Sequence, residues 1–210
     1  MWTSIGPPAL AGAAFDSKGN ISSLVAGTQF LFNGVAAPIV YVSAKQSSVI
    51  VPYEVASAST AQIVAVYNGA VSVPITVPVV AALPGIFSAN SSGTGLGAIL
   101  NQDGSYNSAG NPAARGSVVV LFVTGEGQTT PPGVDGRVTG SPISPAAPVT
   151  VTFGSIPATS YPFVGEAPRL VASVLQINVT VPSSAPTGSV PITVAVGSTT
   201  SQAGLTVAVQ

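Results

Sequence analysis

One motif occurs twice in this chain, and its spacing constrains everything else. Gln46-Ser-Ser-Val-Ile-Val-Pro52 returns 130 residues later as Gln176-Ile-Asn-Val-Thr-Val-Pro182. The register holds beyond the motif: Val64-Ala65-Val66 falls on Val194-Ala195-Val196, and Thr76-Val77 on Thr206-Val207. A register kept over about thirty residues is a repeat of structure rather than a chance match of words. The chain therefore reads as two versions of one unit, and 210 residues suffice for two domains of about 100 each.

Both versions carry the pattern of strands. Thr28–Phe32 is a short β-branched and aromatic run closed by Asn33-Gly34, a hairpin signal. Ile39–Val42, Ser48–Val51, Ala61–Tyr67 and Val71–Val77 follow, with Asn68-Gly69 as a further turn. From Pro84 the second version adds Ala98–Asn101 and Ser105–Asn107 around Asp103-Gly104, then Gly116–Thr124. It continues with Val149–Phe153, Ala158–Phe163, Val171–Val181, Val190–Val196 and Leu205–Val209. Gly116–Thr124 is apolar throughout its middle, which predicts burial on both faces. No 3.6-residue periodicity longer than a turn is present. Short strands at this spacing predict an all-β fold of two tandem Ig-like β-sandwich domains. The expected division is an extended N-terminal segment over 1–10, an incomplete first domain over 11–83, and a second domain over 84–210 with an extra N-terminal hairpin.

Composition narrows the function. Charged residues make up 5% of the chain against about 25% in ordinary soluble proteins, and the net charge is −1. A nucleic-acid partner needs a basic face, and no such face can be assembled here. The mean hydropathy of +0.58 is high. Even so, the best apolar run, Val71–Leu83, is interrupted by Pro74 and Pro78 and is far short of the roughly 20 residues of a spanning helix. Aromatic residues at 6% are too few for the girdles of a membrane barrel. No membrane span is expected. There is no Cys and no His, so disulfides, thiolate metal sites and a histidine base are excluded. A surface of Ser, Thr, Asn, Gln and Gly with few titrating groups fits an exported protein. Met1-Trp2-Thr3-Ser4 has neither the basic nor the apolar region of a signal peptide, so any export signal has been removed already or lies outside this stretch.

Each candidate for chemistry has a plainer reading that is favoured. Gly93-Thr-Gly-Leu-Gly97 has the glycines of a phosphate loop without its lysine, and reads as a surface loop. Asn101-Gln-Asp-Gly-Ser105 resembles a calcium loop but offers one carboxylate, and reads as a hairpin turn. Glu126 follows the most apolar strand. Asp135 and Glu166 reach it only through the fold, and a structural role is expected, bonding loop N–H groups or pairing with Arg115 or Arg169. Gln46 and Gln176 are expected to satisfy backbone groups of a neighbouring loop. No cofactor and no metal are expected. Asn20-Ile-Ser22, Asn90-Ser-Ser92 and Asn178-Val-Thr180 are glycosylation sequons, Asn178 being usable only if its side chain faces outward.

Several longer motifs carry a resemblance. Pro84-Gly-Ile-Phe87, Ile99-Leu-Asn-Gln-Asp-Gly-Ser-Tyr-Asn107, Asn111-Pro-Ala-Ala-Arg-Gly116, Thr124-Gly-Glu-Gly-Gln128, Gly165-Glu-Ala-Pro168 and Leu175-Gln-Ile-Asn-Val179 together stand out. The chain resembles, from about Gly6 to Val209, an uncharacterised C-terminal domain family of large secreted bacterial proteins of the Solibacter type. Its units are similar to Ig-like IPT/TIG modules. The resemblance implies export, an Ig-like fold and a place at the end of a longer polypeptide. It carries no activity.

The two versions are unequal. In the second, Pro84–Thr124 precedes the turn that opens at Gly125. In the first, the counterpart of that turn is Ile5-Gly6-Pro7-Pro8, with only Met1–Ser4 ahead of it. The first sandwich is thus expected to lack a partner strand and to present an open groove. The expected function is that of a non-enzymatic structural subunit of an extracellular filament or surface assembly, polymerising head-to-tail with itself by strand addition. Trp2, Ile5, Pro7, Pro8 and Leu10 would form the donor segment, with Leu205–Val209 as second choice and closure by Val77–Leu83 as the intramolecular alternative. The alternative function is a cell-surface adhesion or carbohydrate-binding module, with glycans as partners. A hydrolase is disfavoured for want of a base.

Overall fold

A computed structural model of the chain describes residues 6–138, 140 and 143–210. The described residues form strands, turns and one 3-10 turn of helix at Tyr53–Ser57, arranged as two compact units. The first comprises residues up to Ala81 with Pro132–Gly140 and Pro168–Ala172, and the second comprises Ala82–Pro131, Ser141–Ala167 and Ser173–Gln210. The break near residue 81 lies close to the 83/84 boundary read from sequence. The two short returns to the first unit were not read from sequence: Pro132–Gly140 is a Pro/Gly-rich connection, and Pro168–Ala172 is a run of five residues without a pattern of its own.

The first unit holds β1 (Ala11–Gly12), β2 (Thr28–Phe32), β3 (Val35–Ala36), β4 (Ile39–Val42), β5 (Ser47–Val49), β6 (Thr60–Tyr67), β7 (Ala70–Val71) and β8 (Ile75–Pro78). They form two sheets. One has the order β1-β4-β5, and the other has β3-β2-β6, with β7 and β8 both pairing with β6. Asn33 and Gly34 both take positive φ, as the hairpin between β2 and β3 requires. The expected strand Val71–Val77 is broken. Pro74 has no N–H to give a ladder, and Ser72 instead bonds Ala65 through both its backbone and its hydroxyl.

The second unit holds β9 (Gly85–Ile86), β10 (Gly95–Leu96), β11 (Ile99–Leu100), β12 (Val118–Thr124), β13 (Thr129–Thr130), β14 (Ser144–Pro145), β15 (Val149–Phe153), β16 (Ile156–Pro157), β17 (Phe163–Glu166), β18 (Val174–Thr180), β19 (Gly188–Val196), β20 (Thr199–Thr200) and β21 (Leu205–Val209). One sheet has the order β10-β21-β19-β15-β16, with β20 on β19. The facing sheet has the order β11-β12-β18-β17, with β9 on β12. Inward residues of both sheets meet in one core: Val119, Leu121 and Val123 of β12, Leu175, Ile177 and Val179 of β18, Val151 and Phe153 of β15, and Leu205, Val207 and Val209 of β21. This is an Ig-like sandwich.

Three sequence expectations need correction here. The apolar strand β12 is fully buried on one face only, and Val118, Val120 and Phe122 on the other are half-buried. Ala158–Phe163 is not a strand. The chain turns there, and the Tyr161 hydroxyl accepts from the Val151 N–H at 2.9 Å and donates to the Ala158 carbonyl at 3.2 Å. The strand expected from Val171 starts at Val174, because Arg169 and Ser173 both adopt positive φ.

Candidate functional site

The repeat seen in sequence is a repeat of topology. The β2–β3 hairpin has its counterpart in β15–β16, β4–β5 in β17–β18, and β6–β8 in β19–β21. Within this frame the two copies of the motif have different neighbours. In the second unit β18 is central, flanked by β17 on one side and by β12 on the other along its whole length, from Val118 opposite Thr180 to Thr124 opposite Val174. In the first unit, among the described residues, β5 pairs only with β4 and ends its sheet.

The consequence appears residue by residue at the 130-residue spacing. Val181 is 0% exposed, whereas its counterpart Val51 is 55% exposed. Leu205 is 1% exposed, whereas Ile75 is 59% exposed. Ser47 and Val49 lie opposite the buried Val42 and Ile39, so their side chains point to the core side, where they are half-buried. Strand β8 is largely exposed where β21 is almost wholly buried. Among the described residues the first unit thus presents a free strand edge beside a partly uncovered apolar face. Edges are commonly blunted by Lys or Pro. Here the stretch from Gln46 to Val51 carries neither, with Lys45 and Pro52 at its two ends.

The donor candidates divide into two groups. Trp2 and Ile5 lie outside the described residues. Pro7 is buried, and its carbonyl accepts from the Ala44 N–H at 2.8 Å, whereas Pro8 is exposed and Leu10 is 72% exposed. Ala11 and Gly12 then pair with Val42 and Tyr41, so the described part of this segment is bonded within its own unit. Leu205–Val209, the second-choice donor, is held between β19 and β10 and has no free edge to offer. The fold-back of Val77–Leu83 does not occur either: Val77 pairs in the ladder with β6, and the Leu83 N–H bonds the Gly125 carbonyl.

The remaining candidates have structural roles. Asp103 accepts from the Ser105 N–H and hydroxyl, which closes the expected hairpin turn. Gly95–Leu96 of the glycine-rich loop adds a short parallel strand to β21. Gln176 donates to the Asn178 side chain at 2.9 Å and not to a loop backbone, and Gln46 is exposed. Asn20 is half-buried, Asn90 is exposed with its carbonyl oxygen accepting from Ser92, and Asn178 sits half-buried on the outward face of β18.

Glu126 departs most from expectation. It is 1% exposed, and among the described residues no group meets either carboxylate oxygen in good hydrogen-bond geometry. Arg115 instead donates to the Ala185 carbonyl. The fold brings Glu166, also buried, close to Glu126. Burial and then the Glu166 charge push the Glu126 carboxyl up to about 7, against a smaller pull downward from the Ser173 amide. Asp135, which accepts from the Tyr53 N–H at 3.0 Å, is raised to about 6 by burial and by the neighbouring Glu54 carboxyl. Among the described residues no cluster of three or more metal-ligating side chains is present.

No protein family and no curated protein matches the chain. Two solved structures are similar over most of it. The crystal structure of the I9–I11 tandem from titin matches at 15% identity and a TM-score of 0.26, covering 91% of this chain and 58% of that one. The structure of domains 4–9 of the surface layer protein SbsC matches at 20% identity and a TM-score of 0.25, covering 94% of this chain and 25% of that one. The chain thus spans little more than half of the first structure and a quarter of the second.

Proposed function

We propose that the chain is a non-enzymatic structural component of an extracellular or surface assembly, and that copies join head-to-tail by adding a strand to the open edge of the first unit. The observation that carries this reading is the contrast between β5 and β18. Among the described residues, the same motif is covered by a full-length strand in one unit and left as a sheet edge in the other. Strand addition supplies main-chain hydrogen bonds along such an edge and seats alternate side chains in the face behind it. An edge that differs from the element donated to it gives a heterologous contact, which propagates instead of closing. Export is supported by the near absence of charge and of titrating groups. No helix of the described residues is long and apolar enough to cross a membrane. The non-enzymatic reading rests on the lack of His and Cys and on the burial of Glu126 and Glu166 away from any substrate.

Sedimentation velocity and electron microscopy of the purified chain test this. Open-ended multimers should appear with rising concentration, and Val51→Lys, which places a charge on the edge without touching the second core, should abolish them. A chain that stays monomeric at high concentration, or a Val51→Lys variant that assembles like the parent, overturns the proposal.

A further inference from the structure

The first unit has a second sheet edge, on β8, and its chemistry is opposite to that of β5. Among the described residues β8 pairs only with β6. Its counterpart β21 is covered on the outer side: the Gly97 N–H bonds the Thr206 carbonyl, and the Asn107 side chain accepts from the Ala208 N–H. At the 130-residue spacing Thr206 and Ala208 become Thr76 and Pro78. The ladder of the first unit shows which groups face outward there. Gln62, opposite Thr76, turns both its N–H and its carbonyl to Asn33, on the far side of β6. In an antiparallel ladder the residue opposite such a position turns its own backbone groups to its other side. Thr76 therefore offers its N–H and carbonyl to the outer edge, and Pro78, two residues on, falls on the same side. Pro78 has no N–H to offer, and neither has Pro74, two residues ahead of Thr76. Between residues 74 and 78 the outer edge is left with the Thr76 N–H as its donor.

The outward positions of β5 differ. The Gln46 carbonyl and the Ile50 N–H are turned to the β4 side, toward Ser43 and Pro38. Ser47, Val49 and Val51 alternate with them and face the open edge, and all three have an N–H. Around β8 the exposed side chains include Val71, Val73 and Ile75. An exposed apolar edge is a site of unwanted pairing unless something blunts it, and Pro on the edge is one of the means. We infer that Pro74 and Pro78 close the β8 edge to strand addition, so that a second copy of this chain can add at β5 and not at β8. The inference rests on the assembly reading for what happens at β5, whereas the closure of β8 is argued from β8 itself. Contact through one edge of the unit keeps a growing row of copies unbranched.

Sedimentation velocity of the full-length chain tests this in the Val51→Lys background, where the β5 edge carries a charge. Pro74→Ser/Pro78→Thr restores two donors at exposed positions. This variant should associate at a concentration at least tenfold below that of Val51→Lys alone, with its β-sheet circular dichroism unchanged. Adding Thr76→Lys should return it to the behaviour of Val51→Lys. Pro78→Ala alone is the milder change and should shift association in the same direction, and it decides the matter under the same criteria if the double substitution lowers the β-sheet signal. Proline variants that sediment like Val51→Lys overturn the inference, and so does association that Thr76→Lys leaves unchanged. The result is read as a difference from Val51→Lys. It therefore stands apart from whether Val51→Lys dissolves the multimers of the parent chain, which judges the assembly reading.

Discussion

At the scale of single residues, Glu126 sets the pH response of the second unit. Its carboxyl titrates near 7 when folded and from 4.5 when unfolded. Below about 4.5 it is protonated in both states and costs nothing. As pH rises toward 7, the unfolded chain gives up this proton while the folded chain keeps it, so stability falls across that window and is flat above it. A raise of this size corresponds to roughly 3 kcal/mol. Urea unfolding at pH 4 and pH 8 should show a less stable protein at pH 8, and Glu126→Gln should remove most of the difference assigned to this group. Asp135 adds a smaller loss of the same sign between 3.8 and about 6, which the variant leaves in place. An unchanged pH difference in Glu126→Gln would show that the carboxyl is not held protonated. Sequence reasoning placed Glu126 at the end of the most apolar strand but assigned it bonding partners. That Glu166 would be folded toward it was not legible, because the two residues are brought together only by the β17–β18 pairing.

At the scale of elements, the strands that alternate cleanly were the ones readable in advance. Thr28–Phe32, Ile39–Val42, Val149–Phe153 and Leu205–Val209 have the bounds their patterns suggested. The strands that failed are those where a side chain competes with the ladder: Ser72 bonding Ala65, and Tyr161 bonding Val151 and Ala158. Such bonds are tertiary and leave no period in the sequence. The hairpin from Ile99 to Asn111 depends on the same kind of contact. Asn107 is buried, accepts from the Ala208 N–H at 2.8 Å, and donates to the Ala208 carbonyl and to Asn101. Asn101 in turn donates to the Asn111 carbonyl. A side-chain amide here stands in for a strand on the edge of β21. Asn107→Ala leaves the Ala208 N–H without this acceptor in a buried site and should cost about 1–3 kcal/mol, measured as a lowered urea midpoint with an unchanged slope. That β5 ends its sheet among the described residues was legible too, since it matches what the repeat lacks. Where Pro7–Gly12 would go was not, because an extended Gly/Pro segment carries no signal of its partner.

At the scale of the whole molecule, the two units are unequal in what holds them. The second has one core drawn from both of its sheets. The first has two small clusters, around Phe32, Ala37, Val55 and Ala61 and around Val25, Ile39 and Val42. Each buried aliphatic side chain is worth roughly 1.5–3 kcal/mol, so the first unit should open first. Native-state hydrogen exchange should find the amides of β6 exchanging at least tenfold faster than those of β19, a gap of about 1.4 kcal/mol. Equal protection would mean that the chain unfolds as one body. The repeat also poses a problem during folding. One chain carries two similar acceptor strands, Gln46–Val51 and Gln176–Val181, and a single long apolar partner, β12, which must select the later one. Repeat proteins are prone to this kind of mispairing. The two copies differ where it counts: Leu121 meets Ile177 in the correct pair and would meet Ser47 in the wrong one. The serine that weakens the first edge as a home for β12 thereby also protects the chain from misfolding on itself.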